Sequence, residues 1–358
     1  MKLSYFETGR YQAPPSLPAT WPMAPGAYDR GEGGRVYEGM IERISLAAKL
    51  GFDWVSLSEH HYSPRILTPS PPVGAAYVAA RVPDIKIALL GPIVAHNNPV
   101  RLAEELAIVD TMSGGRLIVG LLRGTSNEAL TYNLNPQESR ERTDEGMELI
   151  LRAWSEPYPF SWQGRYFRYR TVSVWPRPAQ APFPPTFALG TSKEAGLFAA
   201  RSGIGLGVSY GPFDVMGKAT GAYRDACARH GWEPGPDQII FRANIIIAET
   251  DDVAQRLMEA YPARPPFSLG DKVAEALLEV DRRNIAGEAR PASVNRALPI
   301  NFVGSGDTIA AQMARCKEQT GAGVLDLGFQ TPGTNDPGAL MEAMELFGRT
   351  VLPRVRAL

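Results

Sequence analysis

The sequence predicts a (β/α)8 barrel, an α/β fold in which eight parallel strands are each followed by a helix, here with insertions. Strand and helix patterns alternate along most of the chain, which is typical of a parallel sheet with helical crossovers. Short continuous apolar runs, such as LIVGLL at 117–122, are typical of strands buried on both faces. The length of 358 residues fits such a barrel, and we predict a single domain over 1–358.

The elements of this barrel can be assigned in chain order. Strands are predicted at 3–6, 53–59, 85–94, 117–122, 185–190, 203–209, 238–249 and 325–329. Helices are predicted at 36–50, 138–155, 192–202, 214–230, 251–260 and 336–350, and another helix follows Pro99 and ends at Ser113-Gly114-Gly115. The aromatic run at 160–176 is typical of a hairpin that turns at Gln163-Gly164.

One segment, 261–300, interrupts the alternation of strands and helices. It has a Pro-rich start, a helix pattern near 271–283 and a polar stretch from Gly287 to Asn295. A long loop in a compact domain is often an active-site lid. The segment is therefore either a lid over the mouth of the barrel or a peripheral excursion.

The composition excludes several classes of protein. Hydrophobic residues make up 44% of the chain, charged residues 21%, and the net charge is −1, which is ordinary for a soluble globular protein. Lys and Arg form no stripe, so we expect no nucleic-acid partner. No apolar run approaches the roughly 20 residues of a membrane span. Cys227 and Cys316 are far apart, as in a cytoplasmic protein with reduced thiols.

Functional side chains are expected where the strands end, because the carboxyl ends of parallel barrel strands form the active-site rim. The fourth strand ends in Arg123-Gly124. An arginine beside a glycine suits a phosphate or carboxylate ligand, but an ordinary surface arginine fits the pattern equally well. Gly190-Thr191-Ser192 precedes a helix, whose free N–H groups and dipole favour an anion, although Ser192 also suits an N-cap.

Two adjacent histidines follow the second strand, in Glu59-His60-His61. Histidine titrates near neutrality and can donate or accept hydrogen bonds, so it suits acid–base chemistry. Neighbouring strand residues point to opposite sides, so His60 and His61 should not both face one ligand. A metal site needs three or four converging groups, and the other histidines, His96 and His230, show no matching spacing. We therefore predict no metal.

Longer stretches of the chain carry a resemblance to a known family. NPVRLAEE at 98–105, VDTMSGGR at 109–116 and GLLRG at 120–124 occur in this order. PRPAQAPFPPTFALG at 176–190 and VGSGDTIAAQMARCKEQTGAGVLDLGF at 303–329 extend the match to nearly the whole chain except 261–300. The sequence resembles the bacterial luciferase-like family of flavin-dependent monooxygenases.

The resemblance implies a site for the flavin ring of FMN on the early strands. His60 would lie over the flavin face as the catalytic residue, with Glu59 beside the flavin and His61 in a structural role. Leu90 and Gly91 would also bind the cofactor, because the family often has a non-proline cis peptide under the ring at the matching bond.

The resemblance also implies a phosphate site on the middle strands. Arg123 with Gly124, together with the turn formed by Gly190, Thr191 and Ser192, would hold the FMN phosphate.

The activity that the resemblance implies is oxygenation. Reduced FMN, supplied by a separate flavin reductase, would react with O₂ to give a C4a-peroxyflavin that oxygenates a small organic substrate, aldehyde-like or similar. Phe6 and Ser126 would line the substrate side, and the protein would be a homodimer. Two alternatives stay open: an oxidoreductase of the same superfamily that uses the deazaflavin F420, and a non-catalytic flavin-binding protein.

Overall fold

The computed structural model describes residues 1–11, 21–135, 137–261, 299–332 and 336–358. Eight parallel strands form a closed barrel, and each begins and ends within two residues of its predicted position. They are β1 (Lys2–Phe6), β2 (Trp54–Leu57), β3 (Lys86–Ile93), β4 (Leu117–Leu122), β7 (Thr186–Leu189), β8 (Gly205–Ser209), β9 (Ile239–Ile247) and β11 (Val324–Phe329).

The register of the strands shows how the barrel closes. The order around the barrel is β11-β1-β2-β3-β4-β7-β8-β9, and β9 pairs with both β8 and β11. Ser4 in β1 lies opposite Asp326 on one side and Trp54 on the other. The predicted (β/α)8 fold is confirmed, and the pairing places the carboxyl ends of all eight strands at one rim.

The helices pack outside the strands. They are α1 (Arg30–Leu50), α2 (Pro71–Arg81), α3 (Pro99–Met112), α4 (Ser126–Thr131), α5 (Ser139–Ser155), α6 (Lys193–Arg201), α7 (Phe213–Arg229), α8 (Asp251–Glu259), α9 (Gly306–Thr320), α10 (Pro337–Thr350) and α11 (Leu352–Val355). No helix within the described ranges has the length and apolar character that crossing a bilayer requires.

Two helix starts were misjudged from the sequence. Helix α1 begins at Arg30 rather than at 36, because the Asp29 carboxylate accepts a hydrogen bond from the N–H of Glu32 and caps it. Helix α2 was not predicted; Pro71 and Pro72 lie in its first turn, where proline needs no N–H partner.

Two insertions lie outside the closed barrel. The predicted hairpin is confirmed as β5 (Phe160–Gln163) and β6 (Arg168–Val172), with the N–H of Gly164 bonded to the carbonyl of Phe167 at 2.9 Å. Strand β10 (Ile300–Gly304), which was not expected, pairs with β9. The possible lid at 261–300, with its helix near 271–283, falls almost wholly outside the described residues.

The two cysteines are both buried and carry free thiols, as predicted. Cys227 lies on α7 and Cys316 on α9. Burial raises the pKa of the Cys316 thiol to about 12, so it stays protonated and unreactive near neutrality.

The interior of the barrel changes character from bottom to top. An apolar cluster fills the lower part, formed by Trp54, Ala88, Leu90, Ile118, Phe187, Ile240 and Val324. Above it, Arg242 Nε lies 2.6 Å from Asp326 Oδ2, and the hydroxyls of Ser4 and Ser56 each donate to Asp326 Oδ1 at 2.7 Å. Burial alone would lower the pKa of Arg242, but the Asp326 charge raises it. A polar floor therefore lies directly under the rim.

Candidate functional site

The predicted site residues lie at the carboxyl rim of four consecutive strands. Glu59 and His60 follow β2, Gly91 lies near the end of β3, and Arg123 follows β4. The turn 190–192 follows β7, which pairs with β4. The barrel thus brings together residues from segments separated by more than a hundred positions.

Glu59 is buried and its carboxylate is fully engaged within the protein. Oε1 lies 3.1 Å from His61 Nε2 and 2.7 Å from His96 Nε2, and Oε2 accepts the Ile93 N–H at 3.0 Å. Burial alone would raise the pKa of Glu59, but these hydrogen bonds lower it. Glu59 therefore stays ionised and ties the end of β2 to β3.

The structure corrects the expectation that His96 stands apart from the Glu59 motif. The His96 ring stacks on Tyr132, with centroids 3.9 Å apart, and Tyr132 also meets the edge of His61 at 5.1 Å. The buried Nδ1 of His96 has no hydrogen-bond partner among the described residues. Spacing along the sequence does not predict this cluster, because it forms through the pairing of β2 with β3.

The same three side chains form a possible metal-binding set. One donor atom from each of Glu59, His61 and His96 lies within 4.8 Å of the others. Tetrahedral zinc with bonds of about 2.0–2.1 Å would hold its donor atoms about 3.3 Å apart. The distances of 2.7 and 3.1 Å to Glu59 Oε1 are instead those of direct hydrogen bonds.

His60 is separate from that cluster and contacts a different carboxylate. Its Nδ1 lies 3.0 Å from Glu128 Oε1, and its side chain is 35% exposed, whereas Glu128 is almost fully buried. Burial alone would raise the pKa of Glu128, but hydrogen bonds from His60 and Thr125 lower it to about 2. A partly exposed imidazole at the rim thus contacts a buried anion.

The Leu90–Gly91 peptide is trans, whereas the family often has a cis peptide at the matching bond. Among the described residues, cis bonds occur only before proline, at Trp21-Pro22, Trp175-Pro176 and Ala181-Pro182. The Leu90 side chain is 1% exposed and packs in the lower interior of the barrel. A Cβ on Gly91 would lie 2.8 Å from the backbone nitrogen of Glu59. Gly91 therefore makes room for the end of β2 on the side where its Cβ would lie.

Gly91→Ala is expected to lower the free energy of unfolding by about 1–3 kcal/mol, because overpacking displaces neighbouring backbone. Gly34→Ala is the matched control, since a Cβ there meets nothing within 4 Å on α1. Alanine favours the helix, so this control should gain about 0.5–1 kcal/mol. Chemical denaturation measures both variants. A Gly91→Ala protein as stable as the wild type would contradict the tight contact.

A second arginine, Arg140, lies near both segments that are predicted to bind the phosphate, Arg123-Gly124 and the turn 190–192. Arg140, near the start of α5, donates from Nη2 to Ser192 Oγ at 3.1 Å. The pKa of the exposed Arg123 is lowered, first by partial burial and then by the positive charge of Arg140, although Glu194 and Asp144 oppose this. Two positive groups thus lie near one helix start, an arrangement that an anion would stabilise.

Ser192 is the N-cap of α6, which was the alternative to anion binding in the sequence analysis. Its Oγ accepts the Ala195 N–H at 3.3 Å. Beside it, the Glu194 carboxylate accepts its own N–H and the Ser192 hydroxyl, and these bonds together with Arg140 lower the pKa of Glu194. The Glu194 carboxylate thus lies beside the N–H groups at the start of α6, the Ser192 hydroxyl and Arg140, which indicates that these donors suit an anion. Thr191 is exposed next to them.

The residues expected on the substrate side differ in position. The Phe6 ring is buried and packs against Arg242, whose guanidinium carbon lies 3.9 Å from the ring centroid. Phe6 therefore belongs to the polar floor that lies directly under the rim. Ser126 is the first residue of α4.

Sequence reasoning missed Glu128, Arg140, His96 and Tyr132. Only Glu128 had a local signal, since Thr125-x-x-Glu128 is a helix capping box. The other three reach the site through strand pairing and helix packing.

Comparison with known proteins adds a family match. The family model described as luciferase-like monooxygenase matches residues 18–323. An uncharacterized protein, y4wF, from Sinorhizobium fredii is 31% identical over 51% of this chain and 54% of its own length. The oxygenase component of a flavin-dependent trigonelline monooxygenase from Acinetobacter baylyi is 24% identical over 62% of each chain. The matched region thus spans less than two thirds of either relative.

Solved structures show the same fold over the whole chain. The monooxygenase RslO1 from Streptomyces bottropensis is 25% identical, with a TM-score of 0.75 and 99% of both chains covered. The oxygenating constituent of 3,6-diketocamphane monooxygenase from Pseudomonas putida, in complex with FMN, is 18% identical, with a TM-score of 0.73 and 99% of both chains covered. An F420-dependent secondary alcohol dehydrogenase is 15% identical, with a TM-score of 0.70 and 99% of both chains covered.

Proposed function

This chain belongs to the luciferase-like monooxygenase family, and from that premise we propose that it is an FMN-dependent monooxygenase that oxygenates a small organic substrate with O₂. The observation that carries the proposal is the arrangement of the rim. Polar and positively charged groups suited to an anion, at β4 and β7, lie two and three strands away from a partly exposed histidine at β2. A phosphate-bearing flavin could span these two places.

The residues at β4 and β7 fit the FMN phosphate. Arg123 and Arg140 would supply charge, and Ser192 and Thr191 would supply hydroxyls at the start of α6. Gly124, with φ of 94°, and Gly190 form the turns that carry these groups. The Glu194 carboxylate, now among the same donors, supports a fit to an oxyanion.

The histidine side of the rim would serve the flavin ring. When bound, reduced FMN would supply the electrons that activate O₂. His60 would then hold or move a proton near the reacting oxygen. The backbone at Leu90 and Gly91 would lie under the ring, and Glu59 would order this edge through its bonds to β3. Phe6 and Ser126 would lie toward an aldehyde-like or similar substrate.

We include no metal in the proposal. The Glu59, His61 and His96 donors satisfy one another at hydrogen-bond distances. An ionised carboxylate between two imidazoles is a sufficient reason for their burial together.

The proposal also includes partners. A separate flavin reductase would supply reduced FMN, which is supported by the description of the trigonelline relative as an oxygenase component. We further propose a cytoplasmic homodimer, as in the sequence-based expectation.

An F420-dependent oxidoreductase is the second candidate, because the F420-dependent alcohol dehydrogenase shares the fold over 99% of this chain. Binding without catalysis is the third. We favour FMN because Glu59-His60-His61 and MSGGR at 112–116 match the FMN-dependent members of the family that the sequence resembles.

Cofactor titration followed by oxygen uptake tests the three candidates. We expect the purified protein to change the absorbance spectrum of added FMN and not that of F420. With NADH, a flavin reductase and a panel of aldehydes, sulfonates and amines, oxygen uptake should rise with one substrate and yield product. Binding of F420 alone would favour the second candidate. Binding of FMN with only hydrogen peroxide formed across the panel would contradict the monooxygenase proposal for these substrate classes.

A further inference from the structure

The short helix α4 carries a carboxylate that holds His60 in one orientation. We propose that Glu128 is a positioning residue that fixes His60 as the tautomer protonated at Nδ1, so that Nε2 is left as the basic nitrogen at the rim. This inference deepens the proposed function, since it concerns the residue proposed to handle the proton. Its structural part, the tautomer, does not depend on which flavin binds.

Glu128 accepts three hydrogen bonds from two residues. Oε1 faces His60 Nδ1 at 3.0 Å, and Oε2 accepts the Thr125 N–H at 2.9 Å and also the Thr125 hydroxyl. The Thr125 oxygen in turn accepts the N–H of Asn127, which completes the cap of α4. One oxygen of the carboxylate therefore holds the helix start and the other holds the histidine.

The charge state of Glu128 decides which nitrogen of His60 carries the proton. Hydrogen bonds from His60 and Thr125 outweigh burial and lower the pKa of Glu128 to about 2, so it is ionised at any pH near neutrality. An ionised carboxylate only accepts hydrogen bonds. The nitrogen that faces it, Nδ1, must therefore be the donor, and neutral His60 carries its proton there.

The other two histidines of the site have the opposite tautomer by the same reasoning. Nε2 of His61 and Nε2 of His96 both face the ionised Glu59 carboxylate, so each is protonated at Nε2. Two buried carboxylates thus fix neighbouring imidazoles in different ways. Only His60 would present a bare Nε2.

An isosteric amide cannot replace the Glu128 carboxylate. Glutamine has one accepting end and one donating end, so it would have to give up either the Thr125 cap or the His60 contact. In Glu128→Gln, a side chain of the same size should therefore no longer fix His60 as the tautomer protonated at Nδ1. Thr125→Val is the matched control, because it removes the hydroxyl of the cap and leaves the carboxylate beside His60.

Nitrogen-15 NMR of the labelled protein measures the tautomers directly. The chain has four histidines, so His60→Gln and His230→Gln variants assign the spectrum. Near pH 8.5 we expect wild-type His60 protonated at Nδ1, and His61 and His96 protonated at Nε2. In Glu128→Gln, His60 should change to a mixture or to the Nε2 form. In Thr125→Val it should stay as in the wild type.

Two outcomes would overturn the structural part of the proposal, the tautomer of His60. One is a wild-type His60 protonated at Nε2, and the other is an unchanged His60 tautomer in Glu128→Gln. Kinetics test the functional part: product formed per reduced FMN should fall about 10- to 100-fold in Glu128→Gln, with the Kd for FMN changed less than about twofold. Unchanged product yield with a lost tautomer would overturn the positioning role. A wild-type protein that makes no product with FMN would instead contradict the proposed function and leave the tautomer result standing.

Discussion

His60→Ala is expected to reduce coupled oxygenation by about 100-fold or more while FMN still binds, which is the scale of losing a general acid or base. The His60 side chain is 35% exposed at the rim and contacts the buried Glu128. The substitution leaves unchanged the residues at β4 and β7 that are proposed to bind the FMN phosphate. Activity should therefore be lost without loss of the cofactor.

The test is an assay with NADH and a flavin reductase that measures how much product and how much hydrogen peroxide form per NADH consumed. In His60→Ala, peroxide should replace product, because oxygen is still reduced but no longer transferred. His230→Ala is the matched control, since His230 is exposed at the end of α7. An unaltered ratio of product to NADH in His60→Ala would remove His60 from the chemistry. Thermal melting of both variants separates this effect from unfolding.

Arg123→Ala is expected to weaken FMN binding by about 2–3 kcal/mol, or roughly 30- to 150-fold in Kd, the scale of a lost charge-assisted contact. Glu194→Gln should act in the opposite direction and tighten FMN binding a few-fold, because it removes a carboxylate from the same donors. Arg101→Ala, on the outer face of α3, is the control for the loss of an exposed arginine.

Riboflavin shows whether Arg123 acts on the phosphate. It lacks the phosphate, so its affinity should be the same in the wild type and in Arg123→Ala. The preference of the wild type for FMN over riboflavin should therefore shrink in the variant. Fluorescence titration measures all four affinities. Equal losses for the two flavins would mean that Arg123 supports the site without binding the phosphate.

The barrel could be predicted because its strands carry their own signal. Runs such as LIVGLL are apolar on both faces, and only a strand covered on both sides tolerates that pattern. Helix starts were harder to predict, since Gly31, Gly33 and Gly34, like Pro71 and Pro72, weaken the helix pattern in the sequence. There, capping by Asp29 and the tolerance of proline in a first turn decided the structure.

The candidate site could be predicted only where its residues share a motif. His60 and Arg123 directly follow strands, so the parallel sheet brings them to the rim. Arg140 and His96 have no such signal, because their partners, Ser192 and Glu59, lie 52 and 37 residues away in sequence. Such contacts depend on how helices and strand ends pack. The resemblance alone left the geometry of the Leu90–Gly91 bond open, and the structure has it trans.

The ion pair of Arg242 and Asp326 has a consequence for how the molecule assembles. The two serines that hold Asp326 come from β1 and β2, and the bond from Ser4 spans 322 positions. Asp326 on β11 pairs in register with Arg242 on β9, so the ion pair forms when these two neighbouring strands pair. Only the hydroxyls of Ser4 and Ser56 reach Asp326 across the β11–β1 seam. Closing the seam therefore completes the hydrogen bonds of the polar floor, and this couples assembly of the two ends of the chain.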